Sequence, residues 1–146
     1  MNNIKNQINK LSTQMKQIIK NKTENNFDYL GYNHLFKKEL TLEKRLEQST
    51  NIMEKYPNRL PIICDVAKSL PKLDKHKYLI PDDLKSESFM YVIRRRIKLE
   101  PEFAMYFFVN NNKLLQANRF MSEIYEKYKD EDGFLYVYVC SESTFG

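Results

Sequence analysis

Glycine and proline are scarce, with 3 and 5 in a chain of 146 residues. That excludes collagen-like, linker-like and other low-complexity chains, which depend on those two residues. Tryptophan is absent, and there are two cysteines, Cys64 and Cys140. Both stand in apolar runs, so the reading is two buried free thiols and not a bridge or a nucleophile. Two histidines, His34 and His76, offer no metal-ligand spacing, and neither a metal nor another cofactor is expected. No apolar run approaches the ~20 residues that span a bilayer. The polar N-terminus has no signal-peptide core, so a cytoplasmic protein is expected, with membrane contact supplied by a modification or a partner. The chain also lacks a nucleophile–base pair, paired carboxylates in a cleft pattern and a phosphate-cradling glycine loop. An enzyme is therefore not expected.

What is present suits one domain plus a tail. Hydrophobic residues make up 42%, and ten Tyr and nine Phe are enough to build a core. The formal net charge of +5 favours acidic partners without choosing among nucleic acid, anionic lipid and acidic peptide. Residues 1–33 differ from the rest. They hold eight Asn, and five Lys face only Glu24 and Asp28. Ile4, Ile8, Leu11, Met15 and Ile18 recur at spacings of four and three, an amphipathic stripe. It reads either as a solvated extension or as a helix over 4–19 that forms against a surface. Residues 21–26 read as a linker.

Residues 34–146 carry the folded pattern. A helical period runs over 36–55, with Thr41 as an N-cap candidate. Residues 56–59 stop it, and 60–66 read as a strand. A second strand over 77–80 ends at Pro81, which has no N–H to give to a ladder and so suits an edge. Phe89, Val92, Ile93 and Ile97 recur at helical spacing over 85–99, with Arg94, Arg95 and Arg96 among them. The runs 105–109 and 134–140 are apolar on both alternating faces, as in strands covered by helices on both sides. A helix over 120–128 and a turn at Asp130-Glu131-Asp132-Gly133 lie between them. Hairpin, helix crossover and two further strands make an α+β, ubiquitin-like β-grasp: a four-stranded mixed sheet with two additional N-terminal helices.

Five motifs in this order carry a resemblance. They are Glu54-Lys55-Tyr56-Pro57-Asn58-Arg59-Leu60-Pro61, Lys77-Tyr78-Leu79-Ile80-Pro81, Ile93-Arg94-Arg95-Arg96-Ile97, Phe107-Phe108-Val109-Asn110-Asn111, and Glu131-Asp132-Gly133-Phe134-Leu135-Tyr136 within a segment ending in Phe145-Gly146. Over 34–146 the chain resembles the ubiquitin-like autophagy modifiers of the GABARAP and light-chain-3 family. The resemblance implies that Gly146 is activated by an activating enzyme, passed to a conjugating enzyme and joined to phosphatidylethanolamine on autophagosomal membranes. Members often carry residues beyond that glycine, removed by a processing and delipidating cysteine protease; the chain here ends on it.

The resemblance also implies that receptor and adaptor peptides of the form aromatic-x-x-aliphatic add a strand at the edge. Ile52, Pro61, Ile63, Lys77, Leu79 and Phe134 would take the aromatic side chain. Tyr78, Ile80, Pro81, Leu84, Phe89 and Val92 would take the aliphatic one, and Arg59, Lys75, Lys77 and Arg96 would favour acidic flanks. The sequence departs from the family at Leu40-Thr41-Leu42-Glu43, in a shorter loop at 66–73 and in a loop at 112–116 without proline. The alternative reading is a basic nucleic-acid or anionic-surface module using Arg94–Arg96 and the tail lysines. It lacks any surrounding RNA-binding consensus, and no nucleic acid is expected as partner.

Overall fold

The computed structural model describes residues 32–100, 104–110 and 113–141. The tail helix expected over 4–19 and the terminal Gly146 lie outside the described residues. Strands β1 (Arg59–Val66) and β2 (Lys77–Pro81) form the expected antiparallel hairpin, with Ile63 opposite Lys77 and Arg59 opposite Pro81. Helix α3 (Ser86–Ile97) then crosses to β3 (Met105–Val109). The last strand, β5 (Leu135–Ser141), enters between β1 and β3, parallel to the first and antiparallel to the second.

With β4 (Lys113–Leu114) the sheet has, among the described residues, five strands in the order β2-β1-β5-β3-β4, one more than expected. The extra strand pairs with Val109 and Phe108. Two residues are too few to show a period, and Asn110 supplies the turn by taking a left-handed φ of 51°.

The single helical run expected over 36–55 is two helices, α1 (Leu35–Glu39) and α2 (Leu42–Lys55). Leu40 and Thr41 are extended between them, and the Thr41 side chain accepts from the Lys44 N–H at 3.3 Å. That oxygen satisfies one of the N–H groups a helix start leaves unpaired, so α2 begins afresh there.

Both faces of the sheet are covered. On one, Phe89, Ile93 and Ile97 of α3 and Met121, Ile124 and Tyr125 of α4 (Met121–Tyr128) pack on Ile62, Leu135, Val137 and Val139. On the other, Ile63, Phe134 and Tyr136 form a smaller cluster closed by Phe36 and Ile52. This explains why residues 134–140 are apolar at both parities. Cys64 and Cys140 are buried free thiols. Burial disfavours the thiolate and pushes both up, Cys140 to about 12, so neither is a ready nucleophile near neutral pH. The connection from β1 to β2 tucks Ala67, Leu70 and Leu73 into the main core.

Candidate functional site

Among the described residues β2 stands at one end of the sheet order, with no strand outside it. The Cys64 N–H donates to the His76 carbonyl at 2.8 Å, and the Asp82 N–H to the Asn58 carbonyl at 3.0 Å. In an antiparallel ladder every second pair exchanges bonds. The bonded pairs are therefore the even ones, and Lys77 and Leu79 turn their N–H and C=O groups outward. Pro61, opposite Leu79, falls on a non-bonded pair, where its missing N–H costs no ladder bond. Arg59 Nη1 reaches the Leu79 carbonyl at 3.4 Å. The edge is thus a row of backbone donors and acceptors at Lys77 and Leu79, the feature that admits another strand.

Two sets of side chains flank this edge on opposite faces. On the α2 side, Leu79 and Ile52 are half-buried, while Pro61 and Ile63 are buried. Phe134 is 1% exposed and meets Phe36 edge-on at 5.0 Å between ring centroids. Lys77 Nζ lies 4.8 Å above the Phe36 ring and donates to Gln48 Oε1 at 2.9 Å. The expected aromatic site is therefore a shallow place between Ile52, Leu79 and the Lys77 stem, with Ile63 and Phe134 as its buried floor. A cleft of about 200 Å³ adjoins it, between α1 and the start of β2.

On the α3 side Val92 is exposed and Leu84 is half-buried, and Pro81 is exposed at the end of β2. Tyr78 and Ile80 are buried, and Phe89 is 1% exposed with its ring edge-on to those of Tyr78 and Phe107. Phe89 is a core residue. It backs the expected aliphatic site from beneath, and Pro81, Leu84 and Val92 give it an accessible surface. Beyond Val92 the outer face of α3 opens into a cleft of about 440 Å³ lined by Tyr91, Arg95, Arg96 and Lys98, with Asp74 opposite. Arg96 Nε pairs with Asp74 at 3.4 Å, and Arg95 lies 5.8 Å over Tyr91. Lys75 Nζ sits 5.1 Å from the centre of the Tyr78 ring.

A cluster that the sequence reading did not single out anchors the chain entering the domain. Asp65 is buried in β1. Its carboxylate accepts from the Tyr32 hydroxyl at 2.6 Å and is approached by His34 Nδ1 at 3.2 Å and His76 Nδ1 at 2.9 Å. The Cys64 carbonyl lies 3.0 Å from the same His76 nitrogen. Both of its neighbours are acceptors, so Nδ1 carries the proton. Burial pushes the Asp65 carboxyl up, but the imidazole of His34 and the hydroxyl of Tyr32 outweigh it and hold it well below the usual carboxylate range. The Tyr32 ring stacks on Tyr138 at 4.1 Å. The available signal was a lone aspartate inside an apolar strand, since a buried charge needs partners.

A second buried carboxylate, Asp132, fixes the turn before β5. It accepts from the Phe134 N–H at 2.8 Å and from the Tyr136 hydroxyl, and Arg45 Nε lies 3.2 Å away. Ser49 Oγ donates to the Asp132 carbonyl, tying α2 to that turn.

Residues 44–146 match the family described as "Autophagy protein Atg8 ubiquitin like". The chain belongs to the Atg8 family. It is 51% identical over 114 residues to Autophagy-related protein 8 of Mycosarcoma maydis, an alignment covering 76% of this chain and 95% of that protein. It is 50% identical over 113 residues to Autophagy-related protein 8d of Arabidopsis thaliana, covering 76% and 93%. The crystal structure of Trypanosoma brucei ATG8 superimposes with a TM-score of 0.72 at 39% identity, over 79% of this chain and all of that one. Atg8 membership makes this an autophagy-related ubiquitin-like modifier and not an enzyme. Among the described residues no helix is long and apolar enough to cross a membrane.

Proposed function

We propose that this Atg8-family chain is conjugated through Gly146 to phosphatidylethanolamine. It would act in the cytoplasm and, once lipidated, on autophagosomal membranes, where it captures receptor and adaptor peptides of the form aromatic-x-x-aliphatic along β2. An activating enzyme, a conjugating enzyme and a processing cysteine protease would be its other partners. The observation that carries the reading is the open β2 edge with apolar side chains on both faces beside it. Successive side chains of a strand alternate faces, so residues three apart point to opposite faces. A spacing of aromatic-x-x-aliphatic therefore fits one anchor beside Leu79 and Ile52 and the other beside Leu84 and Val92. The backbone groups of Lys77 and Leu79 supply affinity without sequence preference, and the two apolar places supply the preference. Arg59, Lys75, Lys77 and Arg96 favour acidic residues around the motif, chiefly through association rate and with salt sensitivity.

Glycine at the terminus is apt for acyl transfer, since it has no Cβ to obstruct a narrow channel. Reconstitution with the activating enzyme, the conjugating enzyme and liposomes containing phosphatidylethanolamine tests the first half. A lipid-dependent gel shift is expected, lost on deletion of Gly146; a shift that survives the deletion refutes the assignment. Calorimetry with an acidic aromatic-x-x-aliphatic peptide tests the second half, and no heat of binding to the wild-type chain would refute it.

A further inference from the structure

We propose that Phe27-Asp28-Tyr29-Leu30 of one copy of this chain is a ligand for the β2 edge of a second copy. The inference rests on the peptide-capture reading and names one occupant of that site. Phe27 and Tyr29 are the only aromatic residues within 1–31, and Phe27 with Leu30 has the aromatic-x-x-aliphatic form, with Glu24 preceding it.

The fit is in the alternation. The aromatic place lies beside Lys77 and Leu79 and the aliphatic place beside Pro81 and Leu84, so the added strand runs in the direction of β2. Phe27 then faces the α2 side, while Asp28 and Leu30 face the α3 side. Leu30 meets Leu84 and Val92. Asp28 meets the cleft where, among the described residues that line it, Arg95, Arg96 and Lys98 confront one acid, Asp74. Three cations against one carboxylate leave that face positive, and an aspartate one residue past the aromatic anchor complements it.

The occupant must come from another copy. Tyr32 is fixed by its hydroxyl on Asp65 at 2.6 Å and by its ring on Tyr138. Leu30 stands two residues earlier, a reach of about 7 Å. Continuing the β1–β2 register puts Asp65 level with Lys75. Pro81 is six residues further along, about 20 Å at the rise of a strand. The aliphatic place is also on the opposite face of the sheet from Tyr32. Leu30 of the same copy cannot reach it while Tyr32 stays anchored, and one residue, Gly31, separates the ligand from that anchor. Docking in trans therefore brings the two domains into contact.

The test uses the full chain and the double variant Phe27→Ala/Leu30→Ala, compared by sedimentation equilibrium from micromolar to millimolar concentration. The wild type is expected to self-associate, and the variant at least about tenfold more weakly. In a second arm the variant, which keeps the groove, is labelled with nitrogen-15 and titrated with unlabelled wild type. Amide shifts are expected at Lys77 and Leu79, weakened at least about tenfold when the wild type carries Asp28→Lys. A wild type that stays monomeric, association that survives the double substitution, or edge shifts independent of concentration would each overturn the proposal, the last by showing occupancy within one copy. Calorimetry of the variant with an external acidic aromatic-x-x-aliphatic peptide separates the two levels. Binding there with a monomeric wild type refutes self-recognition alone, whereas no binding refutes the capture reading as well.

Discussion

Leu79 and Phe134 stand beside the same proposed aromatic place but should respond differently to truncation. Phe134 is 1% exposed and lies under the Phe36 ring, with Ile63 and Tyr136 in the same cluster. Phe134→Ala removes a whole buried ring and leaves a cavity that the strand backbone cannot close, which costs about 3–5 kcal/mol of folding stability. Leu79 is half-buried on the outer strand. Part of its surface already meets water, so Leu79→Ala should cost about 1 kcal/mol of stability. In the docked state that surface lies under the aromatic anchor, and its loss should weaken peptide binding by about 1–3 kcal/mol. A domain of ordinary stability has about 5–15 kcal/mol in hand, so the Phe134 variant needs its folded fraction measured before any affinity is read. Urea titration followed by far-ultraviolet dichroism gives the first quantity, and peptide calorimetry on the folded protein gives the second. A Phe134→Ala protein as stable as wild type but unable to bind would refute the buried placement of that ring. Equal binding by Leu79→Ala and wild type would refute the edge site.

Two further substitutions test the frame that holds this edge. Asp65→Asn keeps the shape and removes the charge that Tyr32, His34 and His76 address. Because the folded carboxyl is held below its unfolded value, its contribution is complete above about pH 4 and fades as pH falls, at about 1.4 kcal/mol per unit. The stability gap between wild type and variant should narrow from pH 5 to pH 2 in paired urea titrations (about 2–3 kcal/mol over that range), and a gap that holds constant or widens would sink the assignment. At Gly133, φ is +87° and a Cβ would fall 2.5 Å from Ser49 Oγ. Gly133→Ala should cost about 1–3 kcal/mol, and adding Ser49→Ala should not restore it, because the Ser49 Cβ stays 3.0 Å from the new methyl and the bond to the Asp132 carbonyl is lost; an unchanged midpoint for the single variant would count against the turn geometry.

The sequence reveals the hairpin and the crossover helix because each obeys one period over enough residues. Pro81 marks the edge by chemistry: it has no hydrogen to give to a ladder. The resemblance, and not periodicity, put Phe89 in the aliphatic set, and the structure places its ring in the core behind that set. Phe89 and Val92 are three apart and share a stripe, so periodicity puts them on one face, but the lie of α3 across the sheet decides which is under it. Phe89 is beneath and Val92 is 43% exposed at the rim. Nor does spacing reveal the partners of Asp65, since Tyr32 and His34 lie more than thirty residues upstream and His76 eleven downstream. Contacts of that range exist only once the sheet has formed. The fifth strand escaped notice for the opposite reason: two residues carry no period, and the pairing is set by Asn110 and by Phe108 and Val109 across the turn.

The proposed placement of recognition at an edge fits how the faces are used. Among the described residues α1 and α2 close one face of the sheet and α3 and α4 close the other, so neither face is left as a broad apolar surface for a partner. Among the described residues the sheet then has two ends, β4 with two residues and β2 with five. A peptide gains register and backbone bonds only from a strand long enough to pair with, which leaves β2. An open strand also invites unwanted pairing, and proteins blunt such edges with charge and proline. Here Lys77 begins the strand, Pro81 ends it, and Arg59 reaches the Leu79 carbonyl that a partner would need. Each guard is cationic or lacks a donor, so the strand resists neutral edges while an acidic extended segment can displace Arg59 and use its charge. In the proposed reading, the devices that protect β2 from indiscriminate pairing thereby select the charge of what it would accept.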